Sequence, residues 1–99
     1  MDTREITREM AAQGWPPERI AAERGLARST IEGHLADLVK AGTVAVDTLL
    51  DAATQRLIAD RLEAMPGRPL REIKEALGDE ISYDAIRLVQ AHLAHKTTR

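Results

Sequence analysis

The sequence predicts an all-α fold, a bundle of five or six helices, from three observations. Apolar residues make up 43% of the 99 residues but aromatic residues only 2%, so the core must consist mainly of aliphatic side chains and Ala. Straight-chain residues and Ala lose little rotamer freedom in a helix, whereas strands favour β-branched and aromatic residues. Glycines and prolines also divide the chain into segments of helical length. An all-β fold is therefore not expected.

The first helix is predicted at residues 3–13. Thr3 is its candidate N-cap, and Ile6 and Met10 form a narrow apolar stripe at the i, i+4 spacing. Gly14 ends the segment. The stripe is too narrow to be stable alone, so we expect this helix to pack on others.

A short helix at 17–24 and a longer one at 28–41 come next. Prolines suit the first turn of the short helix, and Gly25 is expected to end it in a left-handed conformation. The longer helix has the clearest pattern, because its apolar residues recur on one face and Gly42 follows it. That face comprises Ile31, Leu35, Leu38 and Val39.

In the middle of the chain the sequence predicts a connector followed by a fourth helix. Residues 43–46 are short and β-branched, which suits either a rudimentary wing strand or a connector. Asp47 and Asp51 each resemble an N-cap, and a helix is predicted at 52–65. Its expected inward face comprises Leu57, Ile58, Leu62 and Met65.

Two further helices are predicted at 69–77 and from the cap Ser82 to His95, with Gly78 between them. On the last helix, Leu88 and Ala91 point away from the main apolar face. This helix is therefore either central in the fold, which we favour, or leaves an apolar stripe as an interaction surface for a partner or a second copy.

We expect one domain over residues 1–99, composed of a first unit at 1–42, a connector and helix at 43–65, and a second helix pair at 66–99. The two short-then-long helix pairs resemble each other, since Ile20 and Gly25 have the same spacing as Ile73 and Gly78. Either the unit is duplicated or two such pairs are alike by chance.

Several functions are not expected. Cys is absent, which excludes disulfides and thiolate sites. No apolar run is long enough to span a membrane and the N-terminus is too charged for a signal peptide, so we expect a cytoplasmic protein without membrane contact, at the nucleoid if it binds DNA. No nucleophile with a base, phosphate loop, cofactor site or metal-ligand set emerges, so no enzyme is expected.

Residues 17–42 have the pattern of a helix-turn-helix, a short helix, a tight turn at Gly25 and a longer helix. In that motif the first helix supports the second, whose N-terminal part enters the major groove. At 100° per residue, the expected DNA contacts on the outward face or at the start of the second helix are Arg28, Ser29, Thr30, Gly33 and Lys40.

The charge argues for weak binding. The chain has 14 basic and 16 acidic residues, a net charge of −2, whereas DNA-binding domains often have a basic excess. Arg28 and Lys40 are balanced by Glu32 and Asp37 on the same helix, so a solvated face or a protein contact is the alternative interpretation.

Two segments carry a family resemblance, R-G-L-x-x-S-T-I-x-x-H-L at 24–35 and I-S-Y-x-x-I-R-L-V at 81–89. With Gly14-Trp15-Pro16-Pro17 they resemble the helix-turn-helix domain at the C-terminus of RecQ-type and related DNA helicases, over nearly the whole chain. One departure is Ala27, where that family commonly has a serine that caps the recognition helix.

The resemblance implies a non-catalytic, winged-helix-like accessory module that contributes to DNA repair and recombination. It would contact DNA weakly and position a helicase motor, in the same chain or in a partner protein. Ser29, Thr30 and His34 match the positions of the family's motif. The alternative is a protein-interaction or dimerisation module that does not contact nucleic acid.

The remaining polar and aromatic residues have structural interpretations. His34 is expected to be half-buried and hydrogen-bonded, and Trp15 to anchor the first helix to the second rather than stack on a base. Tyr83 is expected to pack in the fold, and Arg87 to pair with Asp84 or Glu80. His92 and His95 suit a surface position near a helix C-terminus better than a metal site.

Overall fold

The computed structural model describes residues 3–97, which form six α-helices and one short 3₁₀ helix without any strand in that range. The predicted all-α bundle of five or six helices is thereby confirmed, with six α-helices. The helices are α1 (Thr3–Ala12), α2 (Pro17–Arg24), α3 (Arg28–Ala41), α4 (Ala52–Ala64), α5 (Leu70–Leu77) and α6 (Tyr83–Thr97), with the 3₁₀ helix at Val46–Thr48 between α3 and α4.

The predicted helix ends agree with the structure because they depend on local signals. Gly25 and Gly42 both have the left-handed conformation, with φ of 65° and 84°, which ends α2 and α3 where the sequence predicts. Ser82 caps α6 as predicted, since its Oγ accepts a hydrogen bond of 3.0 Å from the Ala85 N–H. Helix α1 begins at Thr3 itself rather than after it.

Two apolar clusters form the core, and α3 and α6 join them. The first lies among α1, α2, α3 and the connector, and includes Ile20, Ile31 and Leu35. The second lies among α4, α5 and α6, and includes Ile58 and Ile73. The most extensive contact between two helices is that of α3 with α6. These two helices form the centre of the molecule.

The connector after α3 is not a strand, so the wing is not present in residues 3–97. Val44 and Val46 are buried in the first cluster, and this burial explains their β-branched pattern without strand pairing. Asp47 is not an N-cap, because it lies within the 3₁₀ helix and its Oδ1 accepts a hydrogen bond from Gln55. Asp51 does occupy the N-cap position of α4.

Two predicted apolar faces differ from the structure by one residue. On α1 the fully buried residues are Thr7 and Ala11, whereas Ile6 and Met10 are partly buried. On α4, Leu57 is 58% exposed and the fully buried residue is Ile58. In both helices the packing partners determine which of two neighbouring positions faces the core.

The two helix pairs, α2 with α3 and α5 with α6, share a pattern but differ at the turn. Ile20 and Ile73 are both buried at corresponding positions. Gly25 has the left-handed conformation, whereas Gly78 combines φ 91° with ψ −178°, and the second turn is two residues longer. The duplication stays a prediction.

Candidate nucleic-acid interface

Helix α3 presents one open face to solvent. The residues that the sequence predicts as DNA contacts are all exposed on this helix, and Ala36 at the border of the face is partly exposed. A side chain built at Gly33 would meet nothing within 4 Å, so another surface can approach the helix closely here. The five predicted residues, Arg28, Ser29, Thr30, Gly33 and Lys40, define what we call the α3 face.

Helix α2 holds α3 through a tight turn. The left-handed Gly25 is followed by Leu26, whose N–H donates to the Ala21 carbonyl at 3.0 Å. Ala27 then has extended backbone, with φ −65° and ψ 145°, at the N-cap position of α3. Ile20 of α2 and Ile31 of α3 are both fully buried in the first apolar cluster. The two helices and the turn between them therefore have the geometry of a helix-turn-helix.

The N-terminal end of α3 has no side-chain cap, because Ala27 has no hydrogen-bonding side chain. Arg28 lies beside this end. Its guanidinium is 3.5 Å from the Glu32 carboxylate and 3.8 Å from that of Glu18 on α2. The cation that the sequence assigns to DNA is therefore already balanced by two carboxylates.

Glu32 is the main departure from the sequence-based prediction for this helix. It was expected in a solvated pair with Arg28, but its side chain is only 8% exposed. Burial, with Asp84 on α6 as the next cause, raises the pKa of the Glu32 carboxyl, while Arg28 acts in the opposite direction. The sequence gives no sign of this burial, because it results from the packing of α6 on α3.

Two neighbouring helices border the α3 face with further charges. On one side Arg4 of α1 lies 3.5 Å from Asp37 of α3. On the other side Asp84 and Arg87 of α6 line a cleft with α3, and they pair at 3.7 Å as the sequence predicts. Arg4 and Arg87 are separated from α3 in sequence, so only the tertiary fold identifies them as part of this surface.

A polar cluster fixes α1 against the helix-turn-helix. Thr7 Oγ1 accepts a hydrogen bond of 2.6 Å from Arg24 and lies 3.1 Å from His34 Nδ1. Arg24 also donates to the backbone carbonyl and hydroxyl of Thr3. The prediction of a half-buried, hydrogen-bonded His34 is confirmed. This motif-matching histidine therefore orients α1 and does not point from the α3 face.

The two residues predicted as a possible interaction surface, Leu88 and Ala91, lie in the core. Leu88 and Ala91 are 4% and 8% exposed and belong to the first apolar cluster, because this side of α6 packs against α3. The alternative that we favoured, a central position for the last helix, is the one in the structure. An exposed stripe on α6 therefore no longer supports dimerisation.

The aromatic residues have different environments. Trp15 is partly buried against the first cluster, with the Arg19 guanidinium 3.8 Å from its ring centre, as expected for an anchor between α1 and α2. Tyr83 is 38% exposed, more than the expected packing implies. The charged groups of Arg87 and Lys74 lie 5.7 and 5.9 Å from its ring centre.

Within residues 3–97 no group of three or more His, Asp and Glu side chains is arranged to hold a metal ion. His95 Nδ1 lies 3.1 Å from the Lys40 carbonyl, so it fixes the end of α6 to the end of α3. The same part of the chain has no helix with the length and hydropathy that a membrane span requires.

The comparison with known proteins agrees with this geometry. A family model described as a helix-turn-helix domain matches residues 3–90. The chain belongs to this helix-turn-helix family. The match covers all of α1 to α5 and the first half of α6, so the family is defined by the whole arrangement and not by α2 and α3 alone.

A curated relative, Protein YpbB of Bacillus subtilis (strain 168), is 31% identical over 83 residues, which is 83% of this chain and 24% of that protein. The chain thus spans about a quarter of the length of this relative. No solved structure matches the chain. Membership of the family indicates a DNA-binding or regulatory module, of a kind that is typically non-catalytic.

Proposed function

We propose that this domain contacts DNA weakly through the α3 face and positions a tethered helicase motor on its substrate. The observation that supports this best is the placement of α3. Its first turns, held by α2 and the Gly25 turn, leave Arg28, Ser29, Thr30 and Gly33 open to solvent. Side chains in these positions of a recognition helix reach phosphates and base edges in the major groove.

The expected affinity is low because the surface carries balanced charges. Arg28 is paired with Glu18 and Glu32, and Arg4 with Asp37. Counterion release increases with the number of phosphates that cations neutralise, so few uncompensated cations give weak and modestly salt-dependent binding. A module of this affinity is effective when it is tethered, because tethering raises its local concentration at the DNA.

The link to a helicase rests on the resemblance of residues 24–35 and 81–89 to the C-terminal domain of RecQ-type helicases. These two segments lie next to each other in the structure. The first forms the turn and the exposed start of α3, and the second forms the start of α6, which packs beside it and contributes Asp84 and Arg87 to the same cleft.

A titration of labelled DNA with this chain tests the contact with DNA. We expect single-stranded, duplex and forked DNA at low salt to bind with Kd values of roughly 10⁻⁴ to 10⁻⁶ M, the range of sequence-independent binding. Arg28→Ala should weaken binding and reduce the slope of log K against log salt by about 1, because one phosphate contact is lost. Fluorescence anisotropy at several salt concentrations measures both.

Arg68→Ala is the matched control. Arg68 lies before α5, pairs with Glu72 at the same i, i+4 spacing as Arg28 with Glu32, and has an equally exposed side chain. We expect this variant to bind DNA like the wild type. If the wild type does not bind at low salt, or if both variants bind equally well, the α3 face does not contact DNA and a protein-interaction module replaces this proposal.

A further inference from the structure

Glu32 has one carboxylate oxygen without a hydrogen-bond partner. Its Oε2 lies 3.5 Å from the Arg28 guanidinium, whereas its Oε1 is buried and, within the described part of the chain, receives no hydrogen bond. A buried charged oxygen without a donor is unfavourable by comparison with the same oxygen in water. Such an atom requires either a donor from elsewhere or a proton of its own.

Asp84 provides a second carboxyl group at this place. Both acids line the cleft between α3 and α6, together with Ser29, Gly33, Ala36 and Arg87. Burial is the main cause of the raised pKa of the Glu32 carboxyl, and the nearby Asp84 carboxyl is the next. Two neighbouring carboxyl groups cannot both be ionised without mutual repulsion, so such pairs retain a proton to higher pH.

The surrounding cations do not replace this proton. Arg28, from α3, is shared between Glu32 and Glu18 of α2. Arg87, from α6, is 3.7 Å from Asp84. Neither arginine donates a hydrogen bond to Glu32 Oε1. This oxygen can therefore take part in a proton shared with Asp84.

We propose that Glu32 and Asp84 share one proton across the junction of α3 and α6, so that the charge beside the α3 face depends on pH. The effect on DNA rests on the proposed function, whereas the effect on stability does not. Proton uptake removes one negative charge next to Arg28 and Ser29. DNA binding should therefore strengthen as the pH falls through the range in which the pair titrates.

The sign of the stability effect follows from the same pair. A carboxyl whose pKa is higher in the folded than in the unfolded chain favours the folded chain when protonated. The stabilisation of the fold by protonated Glu32 is fully present at a pH below the pKa of Glu32 in the unfolded chain. It is lost as the pH rises through the pKa of Glu32 in the folded chain.

Thermal unfolding from pH 4.5 to 8 tests the shared proton, with Glu32→Gln and Asp84→Asn as variants that keep the side-chain size. The Tm of the wild type, relative to that of Glu32→Gln, should fall by the order of 4 °C across this range. In Asp84→Asn the new amide can donate to Glu32 Oε1 at any pH, so its Tm should exceed that of the wild type at pH 8. The control Glu63→Gln, an exposed acid on α4, should follow the wild type.

Carbon NMR of the side-chain carboxyl groups gives a direct readout that a loss of folding in the variants cannot obscure. Glu32 in the wild type should titrate above the ordinary range of a glutamate carboxyl, and this elevation should decrease in Asp84→Asn. If Glu32 titrates within or below the ordinary range, or if Glu32→Gln leaves the pH dependence of Tm unchanged, the shared proton is disproved.

DNA anisotropy at pH 5.5 and 7.5 then tests the link to binding. The comparison is between the wild type and Glu32→Gln, because these two proteins have every other titratable group in common. The gain in affinity on acidification should be larger for the wild type. An equal gain in affinity would contradict an effect of the shared proton on DNA binding. Whether the proton is shared is decided separately by the NMR titration. Absence of wild-type binding at both pH values contradicts the proposed function alone.

Discussion

Thr7 is the residue at which α1, α2 and α3 meet, and its hydroxyl determines how α1 docks. It is fully buried, and its oxygen contacts both Arg24 and His34. A polar residue in this position takes the place of an apolar one, so α1 is held by directional bonds as well as by Ala11 in the core. Directional bonds determine the rotation of a helix more strictly than apolar contact does.

Thr7→Val should therefore destabilise the fold although Val is also β-branched and similar in size. The Arg24 guanidinium and the His34 ring would lose a buried partner, which costs about 1–3 kcal/mol. Thr7→Ser keeps the hydroxyl and should cost less. Urea unfolding measures both variants. If Thr7→Ser proves the more harmful of the two, packing of the methyl group is what matters here and not the hydrogen bonds.

Contacts between side chains within one helical turn can be predicted from the sequence, whereas contacts between distant side chains cannot. The pairing of Arg87 with Asp84 is within one turn of α6, and the sequence predicted it. The burial of Glu32 and of Thr7 depends on other helices. A polar residue gives no periodic signal that distinguishes a buried position from an exposed one, so neither burial was predicted.

At the scale of the element, α3 and α6 begin differently. Ser82 caps α6, because its hydroxyl oxygen accepts a hydrogen bond from the Ala85 N–H. Helix α3 begins after Ala27, whose backbone is extended as an N-cap requires but whose side chain cannot form a hydrogen bond. Ala27 stands where the RecQ-type domains that the sequence resembles commonly have a serine. Open amides at the start of α3 are consistent with a phosphate as their partner.

A pair of substitutions at the two caps tests this difference. Ser82→Ala should destabilise the protein by about 1 kcal/mol, and Ala27→Ser should stabilise it by about 0.5–1 kcal/mol, because each changes one capping hydrogen bond. Thermal unfolding measures both against the wild type. A destabilised Ala27→Ser variant would mean that the start of α3 already has a partner that the serine displaces.

At the scale of the whole molecule, the packing of α6 on α3 joins the two apolar clusters. Leu88 is buried in the first cluster, while the neighbouring Val89 belongs to the second. The same helix thus contributes side chains to both clusters. For this reason we expect the two halves to unfold together rather than one after the other.

Leu88→Ala should destabilise the molecule by about 2–5 kcal/mol, the usual cost of a buried Leu-to-Ala change. Leu57→Ala is the matched control because Leu57 is 58% exposed, and we expect a change within about 0.5 kcal/mol. Urea unfolding followed by circular dichroism and by Trp15 fluorescence measures both. A small effect of Leu88→Ala, or separate transitions with the two probes, would contradict a joined core.

The all-α class, the ends of most helices and the helix-turn-helix at residues 17–42 can be predicted from the sequence. Composition, glycine positions and capping residues act within a few residues, so they can be read along the chain. The folded structure is needed to show that residues 43–46 are a buried connector and not a wing. It is also needed to show that Leu88 is core, and that Glu32 and Asp84 line one cleft beside the α3 face. These outcomes depend on which surface of α6 covers α3, and that choice results from the packing of side chains more than 50 residues apart in sequence.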